Sequence, residues 1–170
     1  MKFQFYYEKL LDSEKFKKFI KENKEAYPCT GFISIDKAKQ ENNTMSFEYF
    51  LPQTKKIASF KVTGQVEMVY LENNDKRTPE KLSMNYTFDT NEFEKMILKE
   101  MENKKVKGKM QKILYSLQSL NKKPYLLGTI FLSKLGLLKV HIDLGENKIV
   151  LFEKKSFFDI IKIQKKKPKK

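Results

Sequence analysis

The feature that most limits how this chain can fold is a two-residue alternation of apolar and polar side chains, repeated in run after run along its length. Successive side chains on a strand point to opposite faces, so such runs suit half-buried β-strands and fit helices poorly. Ile33 and Ile35 make one run, and Met45, Phe47, Tyr49 and Leu51 the next, with residues 39–44 as a hairpin loop. Phe60, Val62, Val66, Met68 and Tyr70 then share a face opposite Lys61, Thr63, Gln65 and Glu67, which predicts one long strand with Gly64 as a bulge. Residues 125–133, 137–144 and 148–152 read as three more strands, the last two joined through Gly145, Glu146 and Asn147. Phe3, Phe5 and Tyr7 predict a first strand with an aromatic face, and Leu82, Met84, Tyr86 and Phe88 another, the period outweighing the helix-start look of Thr78, Pro79 and Glu80.

Two segments change period. Asp12 is the expected cap of a helix carrying Phe16, Phe19, Ile20 and Tyr27 on one side, with Leu11 and Phe16 as its hydrophobic staple and Pro28 closing it. Asp89 and Glu92 form a capping-box spacing, with Phe88 and Phe93 as the staple, and open a helical region expected to run to about Leu120, as one long helix with room for a kink at 103–108 or as two shorter ones. Residues 156–163 predict a last short helix. The expected fold is α+β: an antiparallel β-sheet of about seven to eight strands, packed by an N-terminal helix and a long central helix. Residues 1–163 form a single domain in this reading, and 164–170 a basic disordered tail.

Charge is the second constraint. The formal net charge is +14, and 34 of the 35 basic residues are lysine, Arg77 being the exception. The first 90 residues hold 15 basic and 13 acidic groups, whereas 91–170 hold 20 and 8, net +12. Residues 103–142 contain nine lysines and no carboxylate. On a helix, Lys104, Lys105, Lys109 and Lys112 would lie opposite the stripe of Val106, Met110, Ile113 and Leu117 and make one basic face. Lys122 and Lys123 follow, and Lys165, Lys166, Lys167, Lys169 and Lys170 close the chain. Lysine attracts phosphate but lacks the planar fork that reads base edges, so such a surface would bind polyanions with little sequence preference. Part of the excess matches what A/T-rich codons produce, since Lys, Phe, Ile, Asn and Tyr are all plentiful.

Chemistry is sparsely supplied. A single Cys excludes disulfide frameworks and zinc ribbons, and a single His excludes most triads and His-rich metal sites. His141 and Asp143 lie two apart on a predicted strand, as a base and its orienting carboxylate would, although they also continue the polar face begun by Lys139. Cys29 reads as a buried, idle thiol. Glu22, Glu102, Glu146 and Glu153 each begin a Glu-x-Lys, no more than the composition predicts. No nucleotide, calcium or other cofactor motif is present.

The opening residues lack the apolar core of a secretory signal, and the most apolar stretch, 124–138, is interrupted by Lys134, so a cytoplasmic chain without a transmembrane segment is expected. The leading expectation is a non-enzymatic basic module whose second-half lysines contact RNA or DNA. The competing one is a protein-interaction or chaperone-like domain that binds through a sheet edge or an aromatic face such as Phe3, Phe5 and Tyr7 or Phe47 and Tyr49. An anionic membrane surface meeting Phe157, Phe158, Ile160, Ile161 and the neighbouring lysines fits less well, because that segment is apolar on nearly all sides.

Overall fold

The computed structural model describes residues 1–74 and 77–156. Among them are eight strands, β1 (Tyr27–Asp36), β2 (Thr44–Leu51), β3 (Lys56–Val62), β4 (Val66–Glu72), β5 (Met110–Leu120), β6 (Lys123–Leu132), β7 (Gly136–Asp143) and β8 (Lys148–Ser156), and three α-helices, α1 (Phe3–Asp12), α2 (Glu14–Glu22) and α3 (Thr90–Asn103). The strands form one antiparallel sheet in the order β4-β3-β2-β1-β5-β6-β7-β8. The α+β class and the antiparallel sheet are as the alternation predicts.

One apolar core joins the helices to the sheet. Phe3 and Leu10 of α1, Phe16 and Phe19 of α2, and Phe93, Ile97 and Met101 of α3 meet Ile33, Phe47, Phe60, Tyr115, Leu126 and Val140 from the strands. Aromatic rings fill the α1–α2 side: Phe16 packs 5.1 Å from Tyr49 and 5.2 Å from Phe60, centroid to centroid, and Phe3 5.5 Å from Phe47. Phe3, Phe47 and Tyr49 are therefore core residues and present no aromatic docking face.

Several local expectations are corrected. The first segment is helix α1, not a strand: Phe3, Tyr6, Tyr7 and Leu10 also satisfy helical spacing, and only Phe5, 54% exposed, lies off that stripe. The following helix is capped by Ser13, whose Oγ accepts from the Phe16 amide at 3.2 Å, while Asp12 ends α1. It stops at Asn23, whose amide and side-chain nitrogen both donate to the Phe19 carbonyl, and Pro28 lies inside β1.

The long strand expected across Gly64 is a hairpin, with Val62 facing Val66 in register. A three-residue turn leaves the parity of the alternation intact, so Phe60 and Met68 share a face in either arrangement. Residues 78–88 form no ladder. They make an extended strap that buries Leu82 and Met84 and is tied by single bonds, Leu82 N to the Pro28 carbonyl and Phe3 N to the Phe88 carbonyl.

The long central helix is replaced by a shorter helix and a strand. Asp89 does cap α3, accepting from the Asn91 amide at 3.1 Å, and the Phe88 and Phe93 rings pack with centres 5.2 Å apart, tilted at 55°, as a staple contact. The helix ends in a Schellman motif: Lys105 takes a left-handed φ of 53°, its amide donates to Glu102, and the Val106 amide reaches back to Met101. Residues 110–120 are then β5, with Ile113, Tyr115 and Leu117 buried in alternation. The predicted helix at 156–163 lies outside the described residues, apart from Ser156, which ends β8.

Candidate functional site

Strand direction sorts the predicted lysines between two ends of the sheet. At one end lie the start of β5, the end of β1, the β6–β7 turn and the end of β8. Lys109 is fastened to that turn, its amide donating to Ser133 Oγ at 3.0 Å and its carbonyl accepting from Ser133 N at 2.8 Å. This places Lys109 beside Lys134. The Lys104 ammonium stands 5.8 Å from the centre of the Phe152 ring on β8, two residues before Lys154 on the same face. Lys105 and Lys107 complete the connection from α3, and Lys112 follows at the start of β5.

Four elements thus bring Lys104, Lys105, Lys107, Lys109, Lys112, Lys134, Lys154 and Lys155 to one end of the sheet, with Lys104 and Lys154 on the helix-covered face and Lys112 and Lys155 on the other. All are exposed. Glu100 pairs with Lys104 at 3.4 Å and Glu153 with Lys155 at 3.4 Å. Among the described residues no salt bridge engages Lys105, Lys107, Lys109 or Lys134. Next to Lys112, the Asp36 carboxyl is held below its ordinary pKa, chiefly by the Lys39 and Ala38 amides, then by Asn42 and Lys112.

This arrangement departs from the expected helix face, because Lys104 caps α3, Lys105 and Lys109 sit in the loop after it, and Lys112 is on a strand. Lys134, Lys154 and Lys155 join only through the β6–β7 turn and the pairing of β7 with β8, which the sequence does not display. Lys122 and Lys123 lie at the other end of β5, roughly 30 Å away at the usual rise per strand residue. There the Glu80 carboxylate accepts from Ser119 Oγ at 2.7 Å, the Asn121 amide at 3.0 Å and the Lys122 amide at 2.9 Å, latching the strap to the β5–β6 turn. Lys165, Lys166, Lys167, Lys169 and Lys170 lie outside the described residues. The last described residue, Ser156, pairs with Gly136 at the end of the sheet that holds Lys134.

Asp143 Oδ1 accepts from the Gly145 and Glu146 amides at 2.9 and 3.1 Å, so it organises the β7–β8 turn. His141 shares its face, and burial, then Lys139, holds the imidazole below its ordinary pKa. Cys29 is buried, its thiol faces the Glu48 carbonyl at 3.4 Å, and burial pushes its pKa up to about 12, the reverse of an activated nucleophile. A groove of about 390 Å³ beside the strap is lined by Cys29, Thr30, Pro79, Glu80 and Gln118 among others, and its carboxylate is the one committed to the latch. Among the described residues, no three His, Cys, Asp or Glu are placed to hold a metal, and no helix is long and apolar enough to cross a membrane.

No protein-family model matches the chain, and no curated protein matches it. One solved structure is similar, a crystal structure from Clostridium difficile 630 named a "putative lipoprotein". It aligns with a TM-score of 0.54 at 16% identity, over 84% of this chain and 91% of the other. At that identity the likeness is one of fold.

Proposed function

We propose that this protein is a polyanion-binding module that holds RNA or DNA against the basic end of its sheet, reading charge and shape and little sequence. The observation that carries this reading is that eight exposed lysines from the α3–β5 loop, the start of β5, the β6–β7 turn and the end of β8 share one end of the sheet. The chain beyond Ser156, with lysine at 162, 165, 166, 167, 169 and 170, starts from the same end. Lysines on separate elements can meet successive phosphates along a backbone, and counterion release then supplies affinity without base contacts. The near absence of arginine fits low sequence preference.

The test is a titration of labelled single- and double-stranded RNA and DNA. If about six phosphates are neutralised, affinity falls roughly a thousandfold between about 50 and 200 mM salt. Replacing Lys104, Lys105, Lys107 and Lys109 by Glu should abolish binding at the lower salt, while replacing Lys122 and Lys123 should weaken it far less. Absence of binding at about 50 mM salt, or equal losses from the two sets, overturns the reading.

A further inference from the structure

We propose that two copies of this chain associate edge to edge through β4, antiparallel, about a two-fold axis that passes beside Val69. The sheet has two edges, β4 and β8. Exposed edges invite pairing, and folded proteins blunt them with lysine, proline or irregular register. β8 is treated in this way: it carries Lys148, Lys154 and Lys155, and its register with β7 shifts between His141 and Ile142. β4 lacks the lysine, the proline and the register break, and its charges are limited to Glu67 and Glu72. It contains no Lys, Pro or Gly, it follows β3 without a register break, and among the described residues it pairs with β3 alone. Three consecutive large side chains on it are open to solvent, Val69 by 55%, Tyr70 by 53% and Leu71 by 41%.

Electrostatics selects a second copy for this edge. The chain carries +14, so most approaches bring lysine against lysine. On β4 the only charges are Glu67 and Glu72, and each faces a lysine of its own β3: Glu72 pairs with Lys56 at 2.9 Å, and Glu67 lies opposite Lys61 in register. Two such edges meet without a cationic clash. With Val69 at the axis, Met68 faces the partner's Tyr70, Glu67 faces the partner's Leu71 and Val66 faces the partner's Glu72. No carboxylate opposes another. The contact is isologous and closes after two copies. A single strand pair is a small interface, so the dimer is reversible and concentration-dependent.

The experiment uses the full chain. Sedimentation over a concentration series should show a monomer–dimer equilibrium, and Val69→Lys, at a position already more than half exposed, should weaken it at least tenfold with an unchanged circular dichroism spectrum. Directly opposed residues in an antiparallel pair have Cα atoms about 4.5–5.5 Å apart, within disulfide range. Val69→Cys in a Cys29→Ala background should therefore cross-link into dimers on mild oxidation, whereas Glu67→Cys and Val150→Cys should not. Monomer at every concentration, unaltered association of Val69→Lys, cross-linking through position 150, or open-ended polymers built from β4 on β8 would each overturn the proposal.

Discussion

Tyr115 lies across Gly128: the two are register partners on β5 and β6, and a Cβ at position 128 would stand 3.2 Å from Cε1 of the ring. The ring is fully buried on β5, one of the two central strands of the sheet. Gly128 is a matter of space, since any side chain there must displace the Tyr115 ring by a few tenths of an ångström. Gly128→Ala should destabilise the fold by about 1–3 kcal/mol, as overpacked cores do. Urea denaturation measures it, and an unchanged midpoint would show that the ring can shift.

The same tyrosine carries a polar atom that the core does not use. Its hydroxyl is buried with no hydrogen-bond partner among the described residues, and burial, then the Glu94 carboxylate, drives its pKa upward. An unpaired buried hydroxyl costs about 1–3 kcal/mol in lost hydration. Tyr115→Phe should therefore leave stability unchanged or raise it by about 1 kcal/mol. A clear loss would reveal a hydrogen bond.

Turn chemistry offers an independent gain. The β6–β7 turn places Lys134 and Leu135 at φ of 61° and 57°, left-handed positions that Asn and Gly occupy at less cost than other residues. Leu135 is 57% exposed, so its side chain contributes little packing to set against that strain. Leu135→Gly should raise stability by about 1 kcal/mol, read as a higher melting temperature. A fall would mean that the leucine's contacts outweigh its backbone cost.

Asp89 ties the start of the chain to α3. Its Oδ1 accepts from the Asn91 amide at 3.1 Å and from the Met1 amino group at 3.0 Å, which also donates to Thr90 Oγ1 at 2.7 Å. The Asn91 amide, then the Met1 amino group, holds the carboxyl below its ordinary pKa. A carboxyl whose pKa is depressed on folding stabilises above its unfolded value, about 3.9, and loses that contribution as pH falls through the folded one. Asp89→Ala should cost about 1 kcal/mol near neutral pH, and the gap from the unaltered protein should narrow below about pH 4. A gap independent of pH would exclude the charge as its source.

The class of fold was legible because alternation survives wherever a strand has one buried face, as at Met45, Phe47 and Tyr49 or Leu138, Val140 and Ile142. Element type failed where one set of residues satisfies both periods. Phe3 and Tyr7 are two strand steps apart and also one helical turn apart; Ile113 and Leu117 repeat the same coincidence in the opposite sense. The end of α3 was hidden because Lys105 occupies the left-handed position that glycine usually marks. Of the candidate site, the lysines in the α3–β5 loop could be found from their crowding in sequence. Lys134, Lys154 and Lys155 could not, because only the β6–β7–β8 meander brings them there. Lys122 and Lys123, close in sequence to Lys112, are carried away by the length of β5.

The strand order has a kinetic corollary. Six of the seven pairings join strands adjacent in sequence, and each can form as a local hairpin within microseconds. The seventh, β1 with β5, must bring Asp36 to Lys112 across three hairpin turns, the strap and α3. None of the β1–β5 contacts forms until that large loop is closed, so the seam between the two meanders is expected to be the slow step of folding.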